Sequence, residues 1–326
     1  LLADRPPRSG WADVSTLVWF ALHLALQQRD QLISQCLYDA LQSWINQQGA
    51  DFALLNARVV AEAPQRPAPS AYLCQHLMVA IELEGGSTQQ VRVSIWPVAD
   101  REQYDLNRPA PSVALNELLD IRDLPAFIQK KRKGFRKVPT PVVHLFAPRL
   151  FFSRGLELGH CDRFGRTLGE QYPFVLRTNL KAHPIGYYYY DDWHDKWAVI
   201  EEAFHRKAGD ISETVDCLSI DRALIETLEE IQSAVLENCS DVVDFFEQVA
   251  ENTALPVALW VRDEAVQARL VDVLESPVEQ LAERIRQARE TAQRSEEKEL
   301  LGHHLSLMWE DPKIVPPDMQ FDPEAC

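Results

Sequence analysis

LPVALWVRD (Leu255–Asp263) is the stretch on which the reading of the fold turns. From Pro256 to Val261 it is apolar without a break, and it closes on the charged pair Arg262-Asp263. A strand with one wet face would alternate polar and apolar residues, so an unbroken run of this length reads as a strand covered on both faces. Working outward, ESPVEQLAERIRQAR leads a helix from Pro277 to about Arg294, and Leu305 to Trp309 forms a last short apolar strand. Upstream, Val142 to Phe146, Phe174 to Arg177 and Asp216 to Ile220 read as strands. Asp192 to Phe204, Asp221 to Glu237 and Asp241 to Glu251 read as helices between them. Continuous apolar strands spaced by amphipathic helices predict an α/β fold with a largely parallel sheet flanked by helices.

The first part of the chain has a different period. Leu17, Phe20, Leu24, Leu32, Leu37, Leu41, Trp44 and Ile45 recur at spacings near three and four, so Trp11 to Gln48 reads as helical and stops at Gly49. Phe52 to Glu62, Tyr72 to Glu84 and Gln90 to Val98 read as strands, with Gly85-Gly86 marking a hairpin between the last two. AEAPQRPAPS (61–70) is a stiff connector before them. The expected organisation is a helical lead-in over 1–50, a β-hairpin segment with a basic strip over 51–140, and an α/β partner-binding domain over 141–326. The opening LLADRPPRSG has no initiator Met, and Pro6-Pro7 looks like part of an interdomain linker in a longer polypeptide.

Composition removes whole classes of function. With 46% hydrophobic residues, 12 Gly and 20 Pro in 326 residues, the chain is neither collagen-like, low-complexity nor disordered. A formal charge of −16 removes generalised attraction to nucleic acid or anionic lipid. No run approaches the roughly 20 apolar residues of a transmembrane helix. Cys36, Cys74, Cys161, Cys217, Cys239 and Cys326 include no C-x-x-C pair, which argues against a zinc ribbon or a disulfide scaffold and for reduced thiols in the cytoplasm. The charge is also unevenly placed. Seven basic residues face one acid between Ile121 and Thr140, while fourteen acids face three basic residues between Glu201 and Glu251. Such asymmetry favours docking on proteins.

Several segments carry chemistry-bearing residues. QKKRKGFRK (Gln129–Lys137) sets Phe135 among cations, a pattern suited to phosphate contacts with one stacking ring, so Lys130 to Lys137 is a candidate nucleic-acid sensor. It equally resembles the solvated end of a helix closing at Gly134. A cysteine-peptidase alternative would use Cys161 or Cys217 with His144 or His160, although adjacent His160-Cys161 cannot readily face one another and no nucleophile signature surrounds either thiol. YYYYDDWHDKW (Tyr187–Trp197) could hold a metal through its acids and His194. It lacks ligand spacing and reads better as a helix start, with the tyrosines lining an interface or pocket. No Walker loop, G-x-S-x-G or H-E-x-x-H is present, so no catalytic residue, cofactor or metal is assigned.

The order LPVALWVRD, ESPVEQLAERIRQAR, HHLSLMWEDPKIVPPD (His303–Asp318) resembles the C-terminal domain of vWA-MoxR-associated proteins, bacterial multidomain proteins linked to biological conflict systems. HLFAPRLFF (His144–Phe152), YPFVLRTNL (Tyr172–Leu180) and DDWHDKW extend the similarity upstream, so that it covers about residues 70 to 320. The resemblance implies a non-enzymatic adaptor or sensor domain of an antiviral defence protein. Its implied partners are a vWA-domain protein and a MoxR-type AAA+ ATPase, coupled to an effector domain upstream in the same polypeptide. The expected binding surface comes from the residues themselves. Trp260 with Arg262-Asp263, Trp309 with Glu310-Asp311, and Arg177 each stand at or near the end of an apolar strand, and parallel strand ends would form an aromatic-floored, mixed-charge cleft.

Overall fold

The computed structural model describes residues 74–319, apart from 106–108, 110, 133–139, 182–186, 218–219, 221, 240, 296 and 298–299, together with Ser43 and Trp44. The chain divides into two units, Leu1–Ser70 and Ala71–Cys326. In the first, only the helical pair Ser43-Trp44 is described. The expected helices over 11–48, the strand at 52–62 and the proline-rich connector otherwise lie outside the described residues.

The second unit is built on a nine-stranded sheet in the order β3-β2-β1-β4-β5-β9-β8-β7-β6. Its strands are β1 (His76–Glu84), β2 (Ser87–Val98), β3 (Ala114–Asp120), β4 (Val142–Ala147) and β5 (Phe174–Thr178), followed by β6 (Glu213–Asp216), β7 (Ser233–Glu237), β8 (Val257–Val261) and β9 (Leu305–Trp309). The hairpin forms as expected: Gly85 and Gly86 take φ of 58° and 77°, the left-handed pair that a tight β1–β2 turn requires. The hairpin then joins the main sheet, because β1 pairs in parallel with β4 through His76 to Ala80. Pairing is parallel at β1–β4, β4–β5, β5–β9, β8–β7 and β7–β6, and antiparallel at β3–β2, β2–β1 and β9–β8. The fold is therefore α/β with a mostly parallel sheet.

Among the described residues, seven α-helices accompany the strands: α1 (Leu124–Arg132), α2 (Leu168–Gln171), α3 (Tyr187–Glu202), α4 (Arg222–Glu230), α5 (Val242–Thr253), α6 (Val271–Leu274) and α7 (Leu281–Gln293). Both sheet faces are covered, which is why β8 is buried at all five positions. One face packs Val79, Leu145, Phe174 and Trp260 against Ile128 of α1, Leu228 of α4 and Phe245 and Phe246 of α5. The opposite face packs Val175, Leu259 and Leu307 against Trp197 and Ile200 of α3 and Leu281 and Ile285 of α7. A third cluster on that second face seats Ile314, Val315 and Met319, from the strap after β9, on Met78, Trp96, Phe146 and Trp193.

Four local readings change. The helix expected over 221–237 ends at Glu230, and Ser233–Glu237 forms β7 between β6 and β8, where sheet pairing on both sides outweighs helical propensity. The strand expected at 216–220 lies at Glu213–Asp216. The edge strand β3 carries a half-polar pattern, with Asn116 at φ 52°, that gave no strand signal. α3 starts at Tyr187, so the tyrosine run belongs to the helix and its acids fall beyond the first turn.

Candidate functional site

The expected cleft depends on neighbouring strand ends, and the direction of β9 prevents it. β9 runs antiparallel to β8, with Val257 opposite Trp309 and Val261 opposite Leu305. Arg262 consequently meets the start of β9, its N–H donating to His304 O at 2.9 Å, while Glu310 N donates to Pro256 O before β8 at 2.7 Å. Of the seven expected residues, Arg177, Glu310 and Asp311 share one cluster with Trp309 in the cavity beside it, Arg262 joins a second, Asp263 caps a turn, and one is a core side chain. Trp260 is that core side chain, 1% exposed, stacked on Phe152 and edge-on to Phe246.

Arg177, Glu310 and Asp311 do come together. Arg177 is fully buried; its Nε donates to Glu310 Oε2 at 3.0 Å, Nη2 to Asp311 O at 2.7 Å and Nη1 to Ile314 O at 3.1 Å. Its guanidinium stands 4.7 Å from the Phe146 ring centroid. Glu310 Oε1 accepts from Thr178 N at 2.6 Å, and Trp193 Nε1 donates to Glu310 O at 2.7 Å. These bonds bind the strap after β9 to the sheet. Asp311 accepts from Arg101 and from Lys313 N, and Arg101 also pairs with Glu201 and Glu102. Burial works against the charge on Arg101, but the Asp311 and Glu201 carboxylates outweigh it and raise its pKa. Polar groups that sequence reasoning placed at a surface are thus spent on internal contacts.

Beside this cluster lies a cavity of about 140 Å³, lined by His76, His144, Arg101, Trp309, Phe204 and Asp311 among others. His76 Nδ1 and His144 Nε2 share a hydrogen bond of 3.0 Å. Burial pushes His76 down to about 4, with Asp311 pulling the other way and Arg101 adding to the fall. His144 is lowered by complete burial first, then by His76, Arg177 and Arg101. Both imidazoles are therefore neutral near pH 7, a pair able to pass or share a proton but not to carry charge. His144 and Trp309 were legible as candidates, whereas His76 sits in a strand that offered only an apolar pattern.

The remaining expected residues are placed elsewhere. Arg262 pairs with Glu157 and Ser306, and Glu157 also lies 3.6 Å from Arg289. Asp263 caps the following turn by accepting from Ala265 N at 3.0 Å. Glu157 is fully buried; burial raises its pKa, yet Arg262 and Arg289 prevail and lower it. Neither Glu157 nor Arg289 carried a sequence signal, because each is recognised only through partners distant in the chain.

The cysteine alternative has no assembled dyad among the described residues. His144 is occupied by His76, and His160 Nδ1 donates to Gly165 O at 2.8 Å. Cys161 Sγ donates to Arg166 O at 3.2 Å, and burial, with Asp162, pushes its thiol up to about 11, away from thiolate reactivity. Cys217 is raised by the neighbouring Cys239 thiol and by burial. Of the basic strip, Lys131 pairs with Glu117 and Arg132 lies 5.4 Å from the Tyr172 ring centroid; Lys130 is exposed, and residues 133–137 lie outside the described residues. Among the described residues no group of three or more His, Cys, Asp or Glu is placed to hold a metal, and no helix is long and apolar enough to cross a membrane.

Comparison with known proteins gives these geometries a context. No curated protein matches the chain. Residues 1–81 match the family model of the vWA-MoxR associated protein middle region 1. Residues 89–312, more than half of the chain, match that of the vWA-MoxR associated protein C-terminal domain, and the protein belongs to this family.

Proposed function

We propose that residues 71–326 form a non-enzymatic adaptor of a bacterial conflict system. In this reading it binds a protein partner of the vWA/MoxR type and couples that binding to an effector upstream in the same polypeptide. Family membership supplies the context, and one observation carries the choice of surface. Glu226, Glu229 and Glu230 on α4, and Asp241, Asp244 and Glu247 at and along α5, are all exposed. Between Arg222 and Thr253 the only basic side chain is Arg222, which is tied to Glu226 at 2.7 Å. The two helices pack side by side, so these carboxylates form one negative face. A face of one sign speeds and orients the approach of a basic partner and rejects acidic ones.

The test is a binding measurement between the chain and the vWA-domain and MoxR-type proteins encoded with it. Replacing Glu226, Glu229 and Glu230 together by Lys is expected to slow association at least tenfold and to flatten its salt dependence, with the melting temperature unchanged. Unaltered association by the triple variant would remove this face from the interaction. Failure of the unmodified chain to bind either protein would remove the adaptor reading itself.

A further inference from the structure

Five buried polar atoms without a hydrogen-bond partner crowd into one place: Arg262 Nε and Nη1, Arg289 Nε and Nη1, and Glu157 Oε2. The two guanidiniums converge through their Nη2 atoms on the same oxygen, Glu157 Oε1, with Ser306 Oγ 3.3 Å from it. The side chains of Glu157 and Arg289 are 0% and 2% exposed, and that of Arg262 is 18% exposed. Two cations therefore share one carboxylate in a place largely closed to water, leaving an excess positive charge. Buried guanidinium nitrogens without acceptors are unfavourable, so the cluster calls for a partner that the described residues do not provide. Glycines let the backbone pack directly against both guanidiniums. Gly155 holds φ at 60°, and a Cβ on it would lie 3.3 Å from Arg262 Cζ; a Cβ on Gly169 would lie 2.9 Å from Arg289 Nη1.

The unmatched atoms define the partner's chemistry. The guanidinium nitrogens need acceptors and a negative charge, which any oxyanion supplies. Glu157 Oε2 needs the opposite, a donor. Sulfate and carboxylate anions carry no proton at neutral pH and would face Glu157 with a bare oxygen. A phosphate that keeps one proton offers acceptors to both arginines and a P–O–H to Glu157.

We propose that Arg262, Arg289 and Glu157 form a binding site for a protonated phosphate group, entered from the partly exposed side of Arg262. Arg289, whose pKa burial draws down to about 10 against the pull of Glu157, with Arg262 adding to the fall, fits a cation lacking a full complement of negative charge. Nothing in this assignment depends on the adaptor role.

The experiment is thermal unfolding and ³¹P titration of the whole chain at pH 6.5 in sodium phosphate, glycerol phosphate, sodium sulfate and sodium chloride at matched ionic strength. Phosphate is expected to raise the melting temperature by several degrees in a saturable way and to broaden its own ³¹P line, while sulfate follows chloride. An equal response to glycerol phosphate identifies the group on a larger molecule as an acceptable source; a response to inorganic phosphate alone identifies the free ion. Arg262→Lys is expected to weaken phosphate binding about tenfold. Glu157→Gln, which removes the carboxylate while keeping its shape, is expected to let sulfate bind as well as phosphate. No saturable response to either phosphate compound overturns the site. Equal responses of the unmodified chain to sulfate and phosphate overturn the assigned role of Glu157.

Discussion

The two buried arginine clusters use the same side chains and reach opposite balances. Under the strap, Arg177 donates to one carboxylate and two backbone carbonyls and lies over Phe146, while Glu310 uses both oxygens. Beyond β8, Arg262 and Arg289 compete for one oxygen of Glu157 and leave four nitrogens unmatched. Both clusters are deep in the fold, so depth alone does not make a charge structural. What distinguishes them is whether the donors and acceptors close on themselves. A closed cluster fastens one chain segment to another, and an open one is suited to receive something from outside.

The largest expected effect tests the closed cluster. Arg177→Leu leaves Glu310 buried without its cation and frees the strap, and should cost about 3–5 kcal/mol in urea unfolding. A cost within experimental error would mean that the strap is held by its apolar side chains alone. The next effect concerns the cavity beside that cluster. His76 has a folded pKa of about 4 against an ordinary 6.5, so the unfolded chain takes up protons first as pH falls. Its contribution is complete above pH 6.5 and declines down to about pH 4, for a loss of about 3 kcal/mol at the acid end. His76→Phe should flatten that part of the stability profile, and an unchanged slope would assign the loss to other groups. The smallest effect belongs to the open cluster: Arg289→Leu removes the surplus cation and leaves Glu157 paired with Arg262, so in phosphate-free buffer it should cost less than about 1.5 kcal/mol. A loss as large as that of Arg177→Leu would erase the distinction between the two clusters.

How much of this was readable beforehand follows from the range over which each feature is encoded. β8 and the Gly85-Gly86 hairpin are local, one an unbroken apolar run and the other a turn requiring two positive φ values, and both were legible. β9 was legible as a strand, but LSLMW reads the same in either direction. Only its pairing with β8 sends Glu310 and Arg262 apart. β7 was lost inside a helical period because its strand character comes from β6 and β8 on its flanks. The candidate residues follow the same rule. Arg177 was visible as the charged end of an apolar strand, whereas Glu157 meets Arg262 across 105 positions and His76 meets His144 across 68, separations that no local pattern records.

The place of β9 in the strand order has a consequence for how the protein comes into being. Among the described residues, β3-β2-β1-β4-β5 and β6-β7-β8 are two blocks of sheet that meet only through Leu305–Trp309, the strand latest in sequence. On the ribosome, β5 and β8 must each wait with an unpaired edge until residues beyond 309 have emerged, a period in which a nascent chain is open to mispairing and to chaperones. The joining of the two blocks is then also the closing of the core, since the strap that follows β9 carries Ile314 and Val315 into place.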